Sequence, residues 1–285
     1  MTLLIVTVAT EMLVRAQVAP QDNRPQHLAL LEATASADVA FGDSHVARGF
    51  DAQQGFINLA YPSENIADML IKARHYFADH APERVILQAD PHLFAPYRLN
   101  AAPAVLEEKT PMLLAATPRH RPQLLAYWTS YFENGGQLRS TVQQTPAGSL
   151  LSSGDLSLDL PRLQMRDARM RIGSHRVARP DQVAIGQEQY RALVDFLAGQ
   201  GARICFVTFP VSPAYAAARE AWPSNGHAEM IAFFESEAAR VGGQYWDART
   251  HVTDLSLFRD IDHLNAKGAV GFSQDLHTAC GWGVD

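Results

Sequence analysis

The sequence predicts an α/β protein, a three-layer α/β/α sandwich built on a mainly parallel central sheet. Three observations carry this expectation. Short apolar runs alternate with stretches of helical periodicity, each run closes in a polar loop, and helices of about ten residues or more separate the runs, as right-handed parallel crossovers require. Ala37–Phe41 is the first such strand and ends in Gly42-Asp43-Ser44-His45. Gly55–Ala60 ends at Tyr61-Pro62-Ser63, and Arg84–Gln88 ends in Ala89-Asp90-Pro91-His92. Between the last two, Ser63-Glu64-Asn65 caps a helix over Ile66–Ala78, whose Ile66, Met69, Leu70, Ala73 and Phe77 recur at helical spacing. A second helix over Gln189–Ala198 leads through Gly201 to a strand over Ala202–Phe209, which Pro210 ends. A third, His227–Val241, stops at Gly242-Gly243 before a short strand at Gln244–Asp247, and a last helix runs from near Asn265 to about Thr278.

Residues 1–285 are read as a single domain carrying one insertion, at about 97–180. That stretch has no βαβ rhythm and is too long for a plain loop. It holds the aromatic cluster Tyr127, Trp128 and Tyr131, a candidate stacking platform for sugar rings, and the arginine-rich run Arg162–Arg179, ordinarily a solvated face. At the amino end, Leu3–Arg15 is apolar but interrupted by Glu11. It is shorter than the roughly 20 residues a membrane-spanning helix needs, and it lacks the basic start and cleavage site of a standard signal peptide. An ordinary strand or helix, the remnant of a longer anchor and an atypical export signal all fit it. The expected location is periplasmic or membrane-anchored and extracytoplasmic, with the cytoplasm as the alternative.

Composition excludes several classes. With 47% hydrophobic and 19% charged residues in 285, the chain can bury a core and is not intrinsically disordered. Its 24 basic against 30 acidic residues give a net charge of −6, which argues against nucleic acid as a partner. Two cysteines make neither a disulfide framework nor a four-thiolate zinc site. Cys205, inside Ile204–Val207, is expected to be a small buried hydrophobe, with a single disulfide left open.

In an open parallel sheet, residues just after the strands converge on one crevice at the carboxyl edge. Asp43-Ser44-His45, Ser63-Glu64-Asn65, Asp90-Pro91-His92 and the segment Arg259-Asp260-Ile261-Asp262-His263-Leu264-Asn265 are therefore expected to line one pocket. A carboxylate three residues before a histidine can accept from one ring nitrogen and aim the other at a hydroxyl. Asp260 and His263 have that spacing, and the first strand delivers Ser44. Asp262 is assigned to the loop or the helix start, and His175, His227 and the other scattered histidines to surface or core.

These residues together resemble the SGNH, or GDSL, hydrolase superfamily, with its Gly-Asp-Ser after the first strand and its late Asp-x-x-His. The resemblance implies a flavodoxin-like sandwich, with Ser44 as nucleophile, His263 as general base and Asp260 as its orienting acid. In the second family block, Asn58 to Ser63, Ser63 stands where glycine is usual. The third block falls at Gln88–His92 and lacks the usual asparagine donor. The oxyanion hole is accordingly expected from Ser44, Ser63, His92 and Asp90, with Asp90 required to turn away if ionised, and Asp43, His45 and Asn58 are candidate substrate-binding residues. Such degenerate blocks look like the SGNH-like proteins of bacterial exopolysaccharide O-acetylation. They imply a serine-dependent acyl-ester hydrolase or O-acetyltransferase acting on a glycan, with no cofactor or metal and a membrane acyl donor as candidate partner. Two other classes stay open: a metal-dependent phosphoesterase using Asp43, His45, Asp90, His92 and the Asp260–His263 cluster, and a catalytically silent glycan-binding subunit.

Overall fold

A computed structural model describes residues 2–19, 22–53, 55–103, 124–125, 128 and 142–282. The chain divides into two compact units, residues 1–29 with 106–141 and residues 30–105 with 142–285. Of the segment 97–180 read as an insertion, residues 106–141 fall in the smaller unit. Its second half, from 142 onward, belongs to the larger unit. Tyr127 and Tyr131 lie outside the described residues; Trp128 falls in the smaller unit.

In the smaller unit, Thr2–Leu13 is helix α1, prolonged by a π-helical turn over Val14–Val18 whose Val14 and Val18 are buried. No helix among the described residues is long and apolar enough to cross a membrane. Helix α2, Arg24–Ala33, runs across the division between the units.

The larger unit contains β1 (Asp38–Phe41), α3 (Ser44–Gly49), β2 (Ile57–Asn58), α4 (Ile66–Tyr76), β3 (Arg84–Gln88) and the short α5 (Pro96–Leu99). There follow β4 (Val142–Gln144), β5 (Leu150–Ser152), α6 (Pro161–His175), α7 (Pro180–Gly199), β6 (Arg203–Thr208), α8 (Pro213–Glu220), α9 (His227–Val241), β7 (Gln244–Asp247) and α10 (Ala266–Ala279). The five strands of the central sheet run parallel in the order β2-β1-β3-β6-β7, as expected; β4 and β5 form a separate antiparallel hairpin that the sequence pattern does not announce. Chain direction across the sheet reverses between β1 and β3. That switch point is where an open α/β sheet parts its loops into a crevice.

Alternation along the strands feeds both faces of the sheet. Ala40, Ile86, Cys205 and Val207 join Phe50, Phe258, Phe272 and Leu276 in one core. On the opposite face Phe41 meets Phe77, and Phe206 meets Tyr190, which itself packs on Phe234. Proline at the first turn starts α6, α7 and α8, where its missing N–H costs nothing. Asn65 and Asp68 close α4 with a reciprocal capping box.

Cys205 is not a free hydrophobe. It forms a disulfide with Cys280 at the end of α10, tying the middle of the sheet to the last helix across 75 positions of sequence.

His227, at the start of α9, is buried with its Nε2 against the carbonyl of His175. Burial pushes its pKa down to about 4, against the raising effect of that carbonyl. A base held neutral in this way lends stability that is present above the unfolded value near 6.5 and is lost as pH falls through about 4. The loss should be of order 3 kcal/mol. Urea denaturation of the wild type between pH 7 and 4 should show this acid limb, and His227→Gln should flatten it.

Candidate active site

The loop after β1 turns at Gly42, where a Cβ would stand 2.2 Å from Val46 Cγ2 and 2.7 Å from Gln88 Oε1. Only glycine lets the strand end lie this close to β3. Asp43 then caps α3 by accepting the His45 N–H at 3.0 Å, and Ser44 occupies the first helical position, where a backbone N–H has no helical partner. Asp43 is fully buried and accepts further hydrogen bonds from Gln88 Nε2 at 2.9 Å, His92 Nε2 at 2.8 Å and the Arg98 guanidinium. Burial alone would raise its carboxyl, but Arg98 and His92 hold it well below the usual carboxylate range. Asp43, expected to bind substrate, is thus buried beneath Ser44 and absent from the lining of the cleft.

At the other end of the chain, an antiparallel bridge between Phe258 and Leu264 and the Arg259 N–H to His263 carbonyl bond close a tight loop. Asp260 Oδ1 organises its interior, accepting from the backbone N–H groups of Asp262 and His263 and from His263 Nδ1 at 2.8 Å. Asn265 then caps α10, accepting from Gly268 N at 3.0 Å. With Nδ1–H donating to Asp260, His263 presents an unprotonated Nε2 to Ser44 Oγ, 2.9 Å away across 219 positions of sequence. The three residues expected to form a triad therefore stand in hydrogen-bond sequence.

Ser63 shows why its block departs from the expected glycine without losing its shape. Tyr61-Pro62-Ser63-Glu64 is a turn closed by the Glu64 N–H to Tyr61 carbonyl bond, with proline at its second position and Ser63 at φ 73°. Positive φ at the third position marks a type II turn, which favours glycine there. The turn is held from below by the buried Lys72, which donates to the Leu59 carbonyl and the Glu64 carboxylate, and by Arg98 donating to the Glu64 carbonyl at 3.2 Å. Ser63→Gly should raise stability by about 1 kcal/mol and leave hydrolysis intact. A fall in the denaturation midpoint would show that the serine side chain, not the backbone conformation, is what the turn requires.

Ser44, Ser63, His45 and His92 line one cleft of about 240 Å³. Asp43, Asn58, Asp90, Asp260 and His263 are not in its lining, though His263 reaches Ser44 and Asp260 lines a neighbouring cavity. Asn58 is fully buried, its amide donating to the carbonyls of Val46 and Phe50 and its oxygen accepting from Ala60 N, so it fastens β2 to α3 instead of binding substrate. Asp90 accepts from Phe209 N and Gln88 Nε2, so both its oxygens are engaged as acceptors and it offers no donor. His92 does not fill the gap. Burial lowers its pKa, and with Nε2–H committed to Asp43 the neutral ring has only a lone pair to present. Of the four residues expected to receive an oxyanion, only Ser44 and Ser63, through their backbone amides, are left as donors.

Around these residues lies a buried assembly of imidazoles and carboxylates. The rings of His45 and His92 lie 4.4 Å apart, those of His92 and His175 stack at 4.6 Å, and His263 stands edge-on to His45 at 5.1 Å. His45 sits with Nδ1 3.5 Å from Asp90 and Nε2 3.5 Å from Asp262. Burial would lower its pKa, yet these two carboxylates raise it to about 10. Asp262 does not cap the helix as expected. It is 1% exposed, aimed at His45 and His263.

Arg98, Tyr97, Arg171, Ser174 and His175 also line the cleft, although the sequence pattern places none of them at the site and assigns His175 to surface or core. For three of them a signal exists. Arg171, Ser174 and His175 fall at i, i+3 and i+4 on one face of α6, inside the run read as a solvated basic face. A second cavity, of about 430 Å³, lies beyond Asp260 and shares Arg171 and Ser174 with the first.

No family model matches the chain, and no curated protein matches it significantly.

Proposed function

We propose that the protein is a serine-dependent acyl-ester hydrolase or O-acetyltransferase that acts on acetyl groups of a glycan. The observation that carries this reading is the hydrogen-bonded sequence Ser44 Oγ, His263 Nε2, His263 Nδ1, Asp260 Oδ1. A serine hydroxyl is a weak nucleophile until a base removes its proton. In the proposed cycle His263 Nε2 takes that proton as Ser44 Oγ attacks the ester carbonyl, while Asp260 stabilises the imidazolium. The amides of Ser44 and Ser63 receive the oxyanion, whose stabilisation is worth about a hundredfold or more per donor. Collapse expels the alcohol with the proton from His263. Water or a sugar hydroxyl, deprotonated in turn by His263, then takes the acyl group from Ser44.

The paired cavities that meet at Arg171 and Ser174 support a substrate longer than a simple ester, with the acyl group at Ser44 and further sugar units past Asp260. The Cys205–Cys280 disulfide supports an extracytoplasmic, periplasmic setting, because such bonds persist in oxidising compartments. A membrane acyl donor is the partner this setting suits.

A serine-directed phosphonate should abolish hydrolysis of an acetylated oligosaccharide, while a chelator leaves it undiminished. Loss of activity to the chelator alone would move the protein to the metal-dependent phosphoesterases. Glycan binding with no hydrolysis at all would make it a silent binding subunit.

A further inference from the structure

The buried carboxylate of Asp262 has no part in the proposed cycle. Neither of its oxygens receives a hydrogen bond, although the residue is 1% exposed. A buried charge without hydrogen bonds is costly, and such groups in native structures are commonly paired or coordinate a metal. What faces it is a set of borderline nitrogen donors: His263 Nδ1 at 3.4 Å and His45 Nε2 at 3.5 Å. One donor atom from each of His45, Asp262 and His263 falls within 4.8 Å of the others.

We propose that His45, Asp262 and His263 form a binding site for a zinc-type divalent cation. Asp262 Oδ1 lies 3.4 Å from His263 Nδ1 and its Oδ2 3.5 Å from His45 Nε2, close to the roughly 3.3 Å that zinc bonds of about 2.0–2.1 Å set between tetrahedral ligands. Two imidazoles and one carboxylate suit zinc and reject calcium and magnesium, which want oxygen donors. The neighbouring group His45, Asp90 and His92 satisfies the same distance limit, but its carboxylate is spent: both oxygens of Asp90 accept hydrogen bonds, whereas neither oxygen of Asp262 does. Arg171 Nε, 3.4 Å from Asp262 Oδ2, is the cation that zinc displaces; its side chain is 42% exposed at the cleft wall and has solvent to move into.

Binding stands apart from the esterase reading; only its consequence rests on that reading. A cation holding His263 withdraws it from Ser44 and Asp260, so zinc should inhibit hydrolysis. Calorimetric titration of the chelator-treated protein with zinc chloride should show one equivalent bound. Outer-shell partners alone are worth about ten- to hundredfold in metal affinity, so Asp262→Asn and His45→Gln should each weaken binding by about a hundredfold or more. Cobalt added to the unmodified protein should give the intense visible absorption of a four-coordinate site, which keeps the proposal testable if either variant fails to fold. Zinc affinity unchanged in both variants, a six-coordinate cobalt spectrum, or saturating zinc that leaves hydrolysis unaffected in a protein that does hydrolyse esters would each overturn it. A protein that binds zinc through Asp262 but has no esterase activity would keep the site and remove the esterase reading.

Discussion

Ser44→Ala should lower kcat/KM for acetyl-ester hydrolysis by about 10⁴-fold or more if the proposed function holds, and His263→Ala should do nearly the same. The size follows from what each group supplies. Without Oγ there is no covalent intermediate, and without Nε2 the hydroxyl 2.9 Å away keeps its proton. Because the two act as one unit, the double variant should be little worse than either single one. Asp260→Ala should cost less in rate but more in structure, since one carboxylate oxygen of Asp260 holds two backbone N–H groups of its loop as well as the ring. Steady-state kinetics with p-nitrophenyl acetate, on variants whose circular dichroism matches the wild type, checks all of this. A Ser44→Ala protein within tenfold of the wild type would place the nucleophile elsewhere.

Removing the Cys205–Cys280 disulfide is expected to cost about 4 kcal/mol, from the loop of 75 positions it closes. In a chain of this length that is a fall of roughly 10 °C in the thermal midpoint. Both sulfurs are buried, Cys205 in the sheet and Cys280 against α10, so the double alanine variant also loses packing and falls somewhat further. Thermal melts with and without reductant, beside the Cys205→Ala/Cys280→Ala protein, measure the effect. Equal midpoints with and without reductant, with a lower one for the alanine variant from lost packing alone, would show that the two thiols remain reduced, and would withdraw the support that the bond lends to an oxidising location.

The parallel sheet and its helices are legible in the sequence because β strands and crossover helices leave local signatures. Val39 to Phe41, Val85 to Leu87 and Ile204 to Val207 are unbroken apolar runs, as strands buried on both faces must be. Ser44 is legible for a related reason, since it follows a strand end that topology sends to the crevice, and Asp260 and His263 because their Asp-x-x-His spacing sits in the loop that leads into the last helix. What is not legible is whatever depends on contacts distant in sequence. Nothing near Asn58 shows that its amide is consumed by the carbonyls of α3, and nothing near Asp262 shows that it points inward to His45. The Cys205–Cys280 pairing belongs to the same class, since two cysteines far apart leave no spacing to read. Arg98 joins the site only because α5 folds back beneath Asp43, and the hairpin of β4 and β5 is too short to alternate visibly.

The central claim is that Ser44 becomes acylated. Incubation with p-nitrophenyl acetate followed by rapid acid quenching and intact mass spectrometry reads it directly. The wild type should gain about 42 Da, the acetyl-for-hydrogen increment of a covalent intermediate, with the adduct mapping to the peptide that contains Ser44 and missing from Ser44→Ala. An adduct that persists unchanged in Ser44→Ala, or hydrolysis that proceeds with no acyl-enzyme under any quench time, would contradict the account.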